Sequence, residues 1–240
     1  MKINKVIVMG CSWCWAPYDY QGGSRYGRKT DYLPNLSRHH ESVFPLDKAP
    51  DYTFGLLLAK KLGVEFVNLA ATGSSNMLCF MKLWDYGLKD NHDLSNTLVI
   101  HGFTEPSRTL VYDDKGYRKT IKPPPALQVN ESMDKNFKSD TMSHRNAFFK
   151  NYYSEKGRIQ ETFAMLDFLN GYLINENSKL IVFNSFAEFD MPDRNYIWKK
   201  FKTWSKYIKD YDSDFNMGAH PNTYDHEVLA DLLYNDWGEL

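Results

Sequence analysis

Four short runs of apolar residues recur along the chain, at Val6-Ile7-Val8-Met9, Val64 to Leu69, Leu98 to His101 and Leu180 to Phe183. A strand with one wet face alternates polar with apolar side chains, whereas one buried on both faces has no reason to. Runs of this kind therefore predict strands of a parallel sheet covered by helices on each side. Parallel neighbours need crossover connections, and the segments between the runs carry helical patterns. Asp51 to Leu62 places Phe54, Leu57, Leu58 and Leu62 on one side; Ser74 to Trp84 does so with Met77, Met81 and Trp84; Lys156 to Leu173 repeats it with Ile159, Phe163, Leu166 and Leu173. A last helix begins near Asn222, a favourable N-cap, and buries Val228, Leu229, Leu232 and Leu233.

Strands alternating with helices predict α/β architecture: a three-layer α/β/α sandwich around a mainly parallel, flavodoxin-like sheet. Two stretches stand outside the alternation. Trp15 to Pro50 is rich in Tyr, Gly, Pro and Arg, and Pro106 to Asn151 contains Pro123-Pro124-Pro125 with little periodicity. They are read as long loop insertions, at about 15–50 and 106–151, in a single domain over residues 1–240.

Charge narrows the function classes. With 29 Lys+Arg against 30 Asp+Glu the formal net charge is −1, which offers no electrostatic footprint for nucleic acid or for a membrane surface. Three cysteines are too few for a disulfide scaffold. The run Val6 to Met9 is too short for a signal-peptide core, and no segment approaches the 18 apolar residues of a membrane span. The expectation is a cytoplasmic protein whose partner is a small molecule or a polymer surface.

In a doubly wound sheet, ligands sit beyond the carboxyl ends of the strands, so the residues leaving each strand are the informative ones. They are Gly10-Cys11-Ser12-Trp13, then Ala71-Thr72-Gly73-Ser74-Ser75-Asn76, then Gly102-Phe103-Thr104-Glu105; Gly218-Ala219-His220-Pro221-Asn222 stands just before the last helix. This set resembles the SGNH (GDSL-type) hydrolase superfamily. In that family a Gly-Asp-Ser block ends the first strand, an oxyanion-hole glycine follows the second, a Gly-x-Asn-Asp block follows the third, and a late Asp-x-x-His block supplies the base. The resemblance implies Ser12 as nucleophile, His220 as general base, and an oxyanion hole from the Ser12 and Gly73 amides with the Thr104 hydroxyl. Trp13, Asn76 and Glu105, at the same exits, are read as substrate contacts.

The departures fall on the charged members. Cys11 stands at the first-block aspartate, Thr104 and Glu105 at the third-block Asn-Asp, and Met217 three residues before His220. In a serine protease, neutralising the aspartate that orients the histidine costs about 10⁴ in turnover. A backbone carbonyl, Asp214 or Asp225 is the candidate to orient His220. The implied chemistry is acyl transfer: His220 takes the Ser12 proton, backbone amides hold the developing oxyanion, and water cleaves an acyl-serine. The expected function is ester hydrolysis, on acylated carbohydrate, with no cofactor and no metal. Aromatic walls from the first insertion, such as Trp15 and Tyr18, suit sugars and apolar groups.

Other readings compete. The fold with its catalysis lost would serve as a binding or assembly module. Cys11-Ser12-Trp13-Cys14 is a C-x-x-C pair after a strand, the pattern of a thiol-redox motif. The first block is not the α/β-hydrolase elbow, which needs glycine where Cys14 stands. His226 reads as a surface residue in the first turn of the last helix, and His101 as a hydrogen-bonded core or site-lining residue. Ile197, Phe201, Trp204, Ile208 and Tyr211 fall at helical spacing, so the lysines between them are read as the wet face of an amphipathic helix.

Overall fold

A computed structural model of the chain describes residues 2–11, 14, 53–71, 74–106, 108–112, 118–121, 154–185, 191–198, 221 and 223–237. In order, the elements are β1 (Lys5–Met9), α1 (Phe54–Leu62), β2 (Glu65–Asn68), α2 (Asn76–Trp84), a π-helical turn (Asp85–Lys89), β3 (Thr97–Phe103), β4 (Thr109–Tyr112), β5 (Arg118–Ile121), α3 (Glu155–Asn175), β6 (Lys179–Asn184) and α4 (Thr223–Trp237). The main sheet has the order β2-β1-β3-β6 and its pairs are all parallel. Register is continuous across its centre, with Ile7 beside Val67 on one side and Val99 on the other.

Strand side chains alternate between faces, and here both faces are dry. Val6, Val8, Phe66, Leu98, Ile100, Ile181 and Phe183 pack with Phe54 and Leu58 of α1 and with Leu229 and Leu233 of α4. Ile7, Met9, Val67, Val99, Phe103, Leu180 and Val182 pack on the opposite face with Cys79, Phe80 and Leu83 of α2 and Phe163, Leu166 and Leu173 of α3. This is the expected three-layer α/β/α sandwich on a mainly parallel sheet. All seven residues of β3 are buried. Hydroxyl N-caps start three of the helices: Thr53 accepts from the Leu56 amide, Ser75 from Leu78 and Ser154 from Gly157.

The structure departs from the sequence reading in particular places. The stretch at 106–151 contains an antiparallel hairpin, with Thr109 opposite Ile121 and Tyr112 opposite Arg118. α2 does not end at Trp84 but continues as the π turn. Ile197, assigned to a helical face, instead makes an isolated parallel bridge to Val182 at the edge of β6. The insertion at 15–50 and residues 199–220 lie outside the described residues.

Candidate active site

β1 and β3 are neighbours whose outgoing connections diverge, toward β2 on one side and β6 on the other. Divergence of this kind opens a crevice at the carboxyl ends of the two strands. At the β1 end, Gly10 has φ +150°, a conformation that side chains disfavour. The Cys14 amide donates to the Cys11 carbonyl at 3.0 Å. The Cys14 thiol then fills the space that two glycines leave. A Cβ on Gly10 would stand 2.5 Å from Cys14 Sγ, and one on Gly102 would overlap the same sulfur and stand 2.5 Å from Ser185 Oγ. Cys14 Sγ and Ser185 Oγ lie 3.8 Å apart.

At the β3 end one side chain gathers the polar contacts. Asn76, 3% exposed at the start of α2, donates from Nδ2 to the Thr104 carbonyl at 3.1 Å, and its Oδ1 accepts the Thr104 amide at 2.8 Å. The same Oδ1 lies 3.2 Å from His101 Nε2. Because Oδ1 can only accept, the His101 proton must be on Nε2. Burial holds His101 at a pKa of about 3, so its ring, packed beside Phe80 and Phe103, is neutral at physiological pH. The Thr104 hydroxyl is fully buried and has no hydrogen-bond partner among the described residues; the same is true of the Ser74 hydroxyl just before α2. Arg108 ties the loop down, donating to Glu105 Oε2 at 3.2 Å and to the Ser74 carbonyl at 3.3 Å.

Two of the buried thiols are held in the neutral form. Burial pushes Cys79 up to about 12, and burial with the neighbouring Cys11 raises Cys14 well above the usual thiol range. Redox and metal chemistry both need the thiolate, the form that burial disfavours at Cys14. No group of three or more His, Cys, Asp or Glu side chains is placed to hold a metal among the described residues.

No family model matches this chain, and no curated protein matches it. Among solved structures it is similar to a chain assigned as a GDSL-like lipase from Parabacteroides merdae, at 11% identity and a TM-score of 0.46, over 99% of this chain and 96% of that one. A chain assigned to the G-D-S-L lipolytic family from Desulfitobacterium hafniense matches at 8% and 0.41, over 97% and 98%. A family two carbohydrate esterase from Clostridium thermocellum, solved with cellohexaose, matches at 12% and 0.42, over 99% of this chain and 65% of that one. These are likenesses of fold.

Of the residues singled out in the sequence, Asn76, Thr104 and Glu105 come together at the β3 exit, with His101 beneath them. Ser12, Trp13, Gly73, Asp214 and His220 lie outside the described residues. Asp225 is buried in the first turn of α4. His226 corrects the surface reading: it is fully buried, its Nδ1 accepts the Phe54 amide at 3.1 Å, and its ring stacks on Phe54 at 5.9 Å. Burial holds its pKa at about 3, and the nitrogen a base would use is committed to the first turn of α1. Ser185 and Arg108 carry no motif, and only the assembled sheet brings them beside Cys14 and Ser74.

Proposed function

We propose that this chain is a serine-dependent ester hydrolase of the SGNH type, removing a small acyl group from a carbohydrate or other polyol. The observation that carries the reading is the state of Thr104. Its amide and carbonyl are both consumed by Asn76, while its hydroxyl is buried with no partner among the described residues. A buried hydroxyl without a partner is costly, by about 1–3 kcal/mol. Such a group at a strand exit is accounted for if its partner is a transient oxyanion.

In this reading Ser12 Oγ attacks the acyl carbon while His220 takes its proton. Charge builds on the carbonyl oxygen, and the amides of Ser12 and Gly73 with the Thr104 hydroxyl receive it. His220 returns the proton to the departing alcohol, leaving an acyl-serine; water, activated by the same histidine, then releases the acid. Asp225 or Asp214 orients His220. Trp13 walls the pocket. Glu105, pinned by Arg108 yet with over a third of its side chain exposed, keeps acceptor capacity for sugar hydroxyls.

Labelling with a fluorophosphonate and turnover of p-nitrophenyl acetate test the reading. Wild type is expected to label and turn over, with Ser12→Ala abolishing both and His220→Ala reducing them by several orders of magnitude. Acetylated sugars are expected to outcompete simple short-chain esters. A wild type no more reactive than Ser12→Ala would leave the fold as a binding module.

A further inference from the structure

Resting on that reading, we infer that Asn76 is a positioning residue for the oxyanion hole, acting through Thr104 rather than on substrate. The paired bonds between Asn76 and the backbone of Thr104 run antiparallel, as two strands would. One side-chain amide thus stands in for a ladder rung just where β3 ends and its own ladder stops at the Phe103–Asn184 pair.

Three features make this clamp specific. First, the amide orientation is forced, since only Oδ1 can receive the Thr104 amide and only Nδ2 can reach its carbonyl. Second, His101 Nε2 donates to the same Oδ1 from beneath, so rotation of the amide would break three bonds at once. Third, Asn76 follows the Ser75 N-cap and is anchored by the first turn of α2. With its backbone groups spent, Thr104 has a single donor left, the hydroxyl, on a backbone that cannot turn away. Preorganisation of a donor is the property that an oxyanion site needs.

The clamp also places a limit on the residue at 104. Its amide is already committed to Asn76, so the donor must come from the side chain. Thr104→Ser should therefore keep activity within a few-fold, and Thr104→Val should lose about 10²-fold in kcat, the scale for one oxyanion donor.

The test is a double-mutant cycle on the acylation step, read by p-nitrophenyl acetate bursts with kcat and KM separated. Asn76→Ala is expected to lower kcat by roughly 10²-fold with KM within a factor of about three. Asn76→Ala/Thr104→Val should be no worse than the more damaging single change, because both remove the same donor. Asn76→Asp, which keeps the acceptor and loses the Nδ2 donor, gives the same comparison if the alanine variant does not fold. Penalties that multiply in the double variant, an unchanged kcat in both Asn76 variants, or a loss confined to KM would overturn the inference alone. A wild type without turnover would overturn the esterase reading first and this one with it.

Discussion

Two fully buried histidines make this fold acid-labile between pH 7 and pH 5. His101 and His226 are 0% exposed, and burial holds each at a pKa of about 3, against 6.5 for a solvated ring. Between pH 6.5 and 3 the unfolded chain binds a proton at each position that the folded chain refuses. The unfolded state then carries more protons, so stability falls as pH falls. From pH 7 to pH 5 each histidine removes about 2 kcal/mol, and the figure barely depends on the folded value because pH 5 lies well above it. The pair removes about 4 kcal/mol, a large part of the roughly 5–15 kcal/mol that holds a domain folded. For a chain of this size the melting temperature should drop by roughly 8–16 °C. The carboxyls of Asp93, stabilised by the Ser95 amide, and Asp167, stabilised by Arg194, are held below the usual range and titrate under this window. Urea titrations at pH 7 and pH 5 measure the difference. His226→Asn keeps an acceptor for the Phe54 amide and His101→Gln keeps a donor for Asn76; each should halve the pH effect, and together they should remove it. A double variant as acid-sensitive as wild type would refute the reasoning.

Two further outcomes follow from the packing at the β1 exit. Gly102→Ala drives a methyl into Cys14 Sγ and Ser185 Oγ and should cost about 1–3 kcal/mol in urea unfolding, with Cys14→Ala restoring most of it; an additive double variant would refute the contact. The buried thiols of Cys11, Cys14 and Cys79, two of them with raised pKa values, should resist Ellman's reagent at pH 8 in the folded protein and all react in urea. Rapid reaction of Cys14 in the native state would argue against its burial.

The parallel core was legible because strands dry on both faces cannot hide their composition. Val6 to Met9 reads as a strand buried on both faces and is one. β3 was read too short, ending at His101, because Gly102 breaks the apolar run, yet pairing with β6 continues through Phe103. The hairpin was missed although Asp113-Asp114-Lys115-Gly116 carries turn chemistry, since the proline-rich remainder of that stretch dominated its composition. His226 looks wet in its own helix, and what buries it is Phe54, 172 positions away. Local pattern also gave no sign of the bonds Asn76 makes to residues 25 and 28 positions on, at the end of a strand whose exact exit it does not define. Ser12, Gly73 and His220 were singled out only through their likeness to a family pattern, and they lie outside the described residues.

The bond from the Phe54 amide to His226 also orders events in time. It makes completion of α1, an early helix, wait for α4. At about 5–20 residues per second, a ribosome needs on the order of 10–35 s to make the intervening 172 positions. Through that interval the apolar face of α1, with Phe54 and Leu58, has no α4 to cover it.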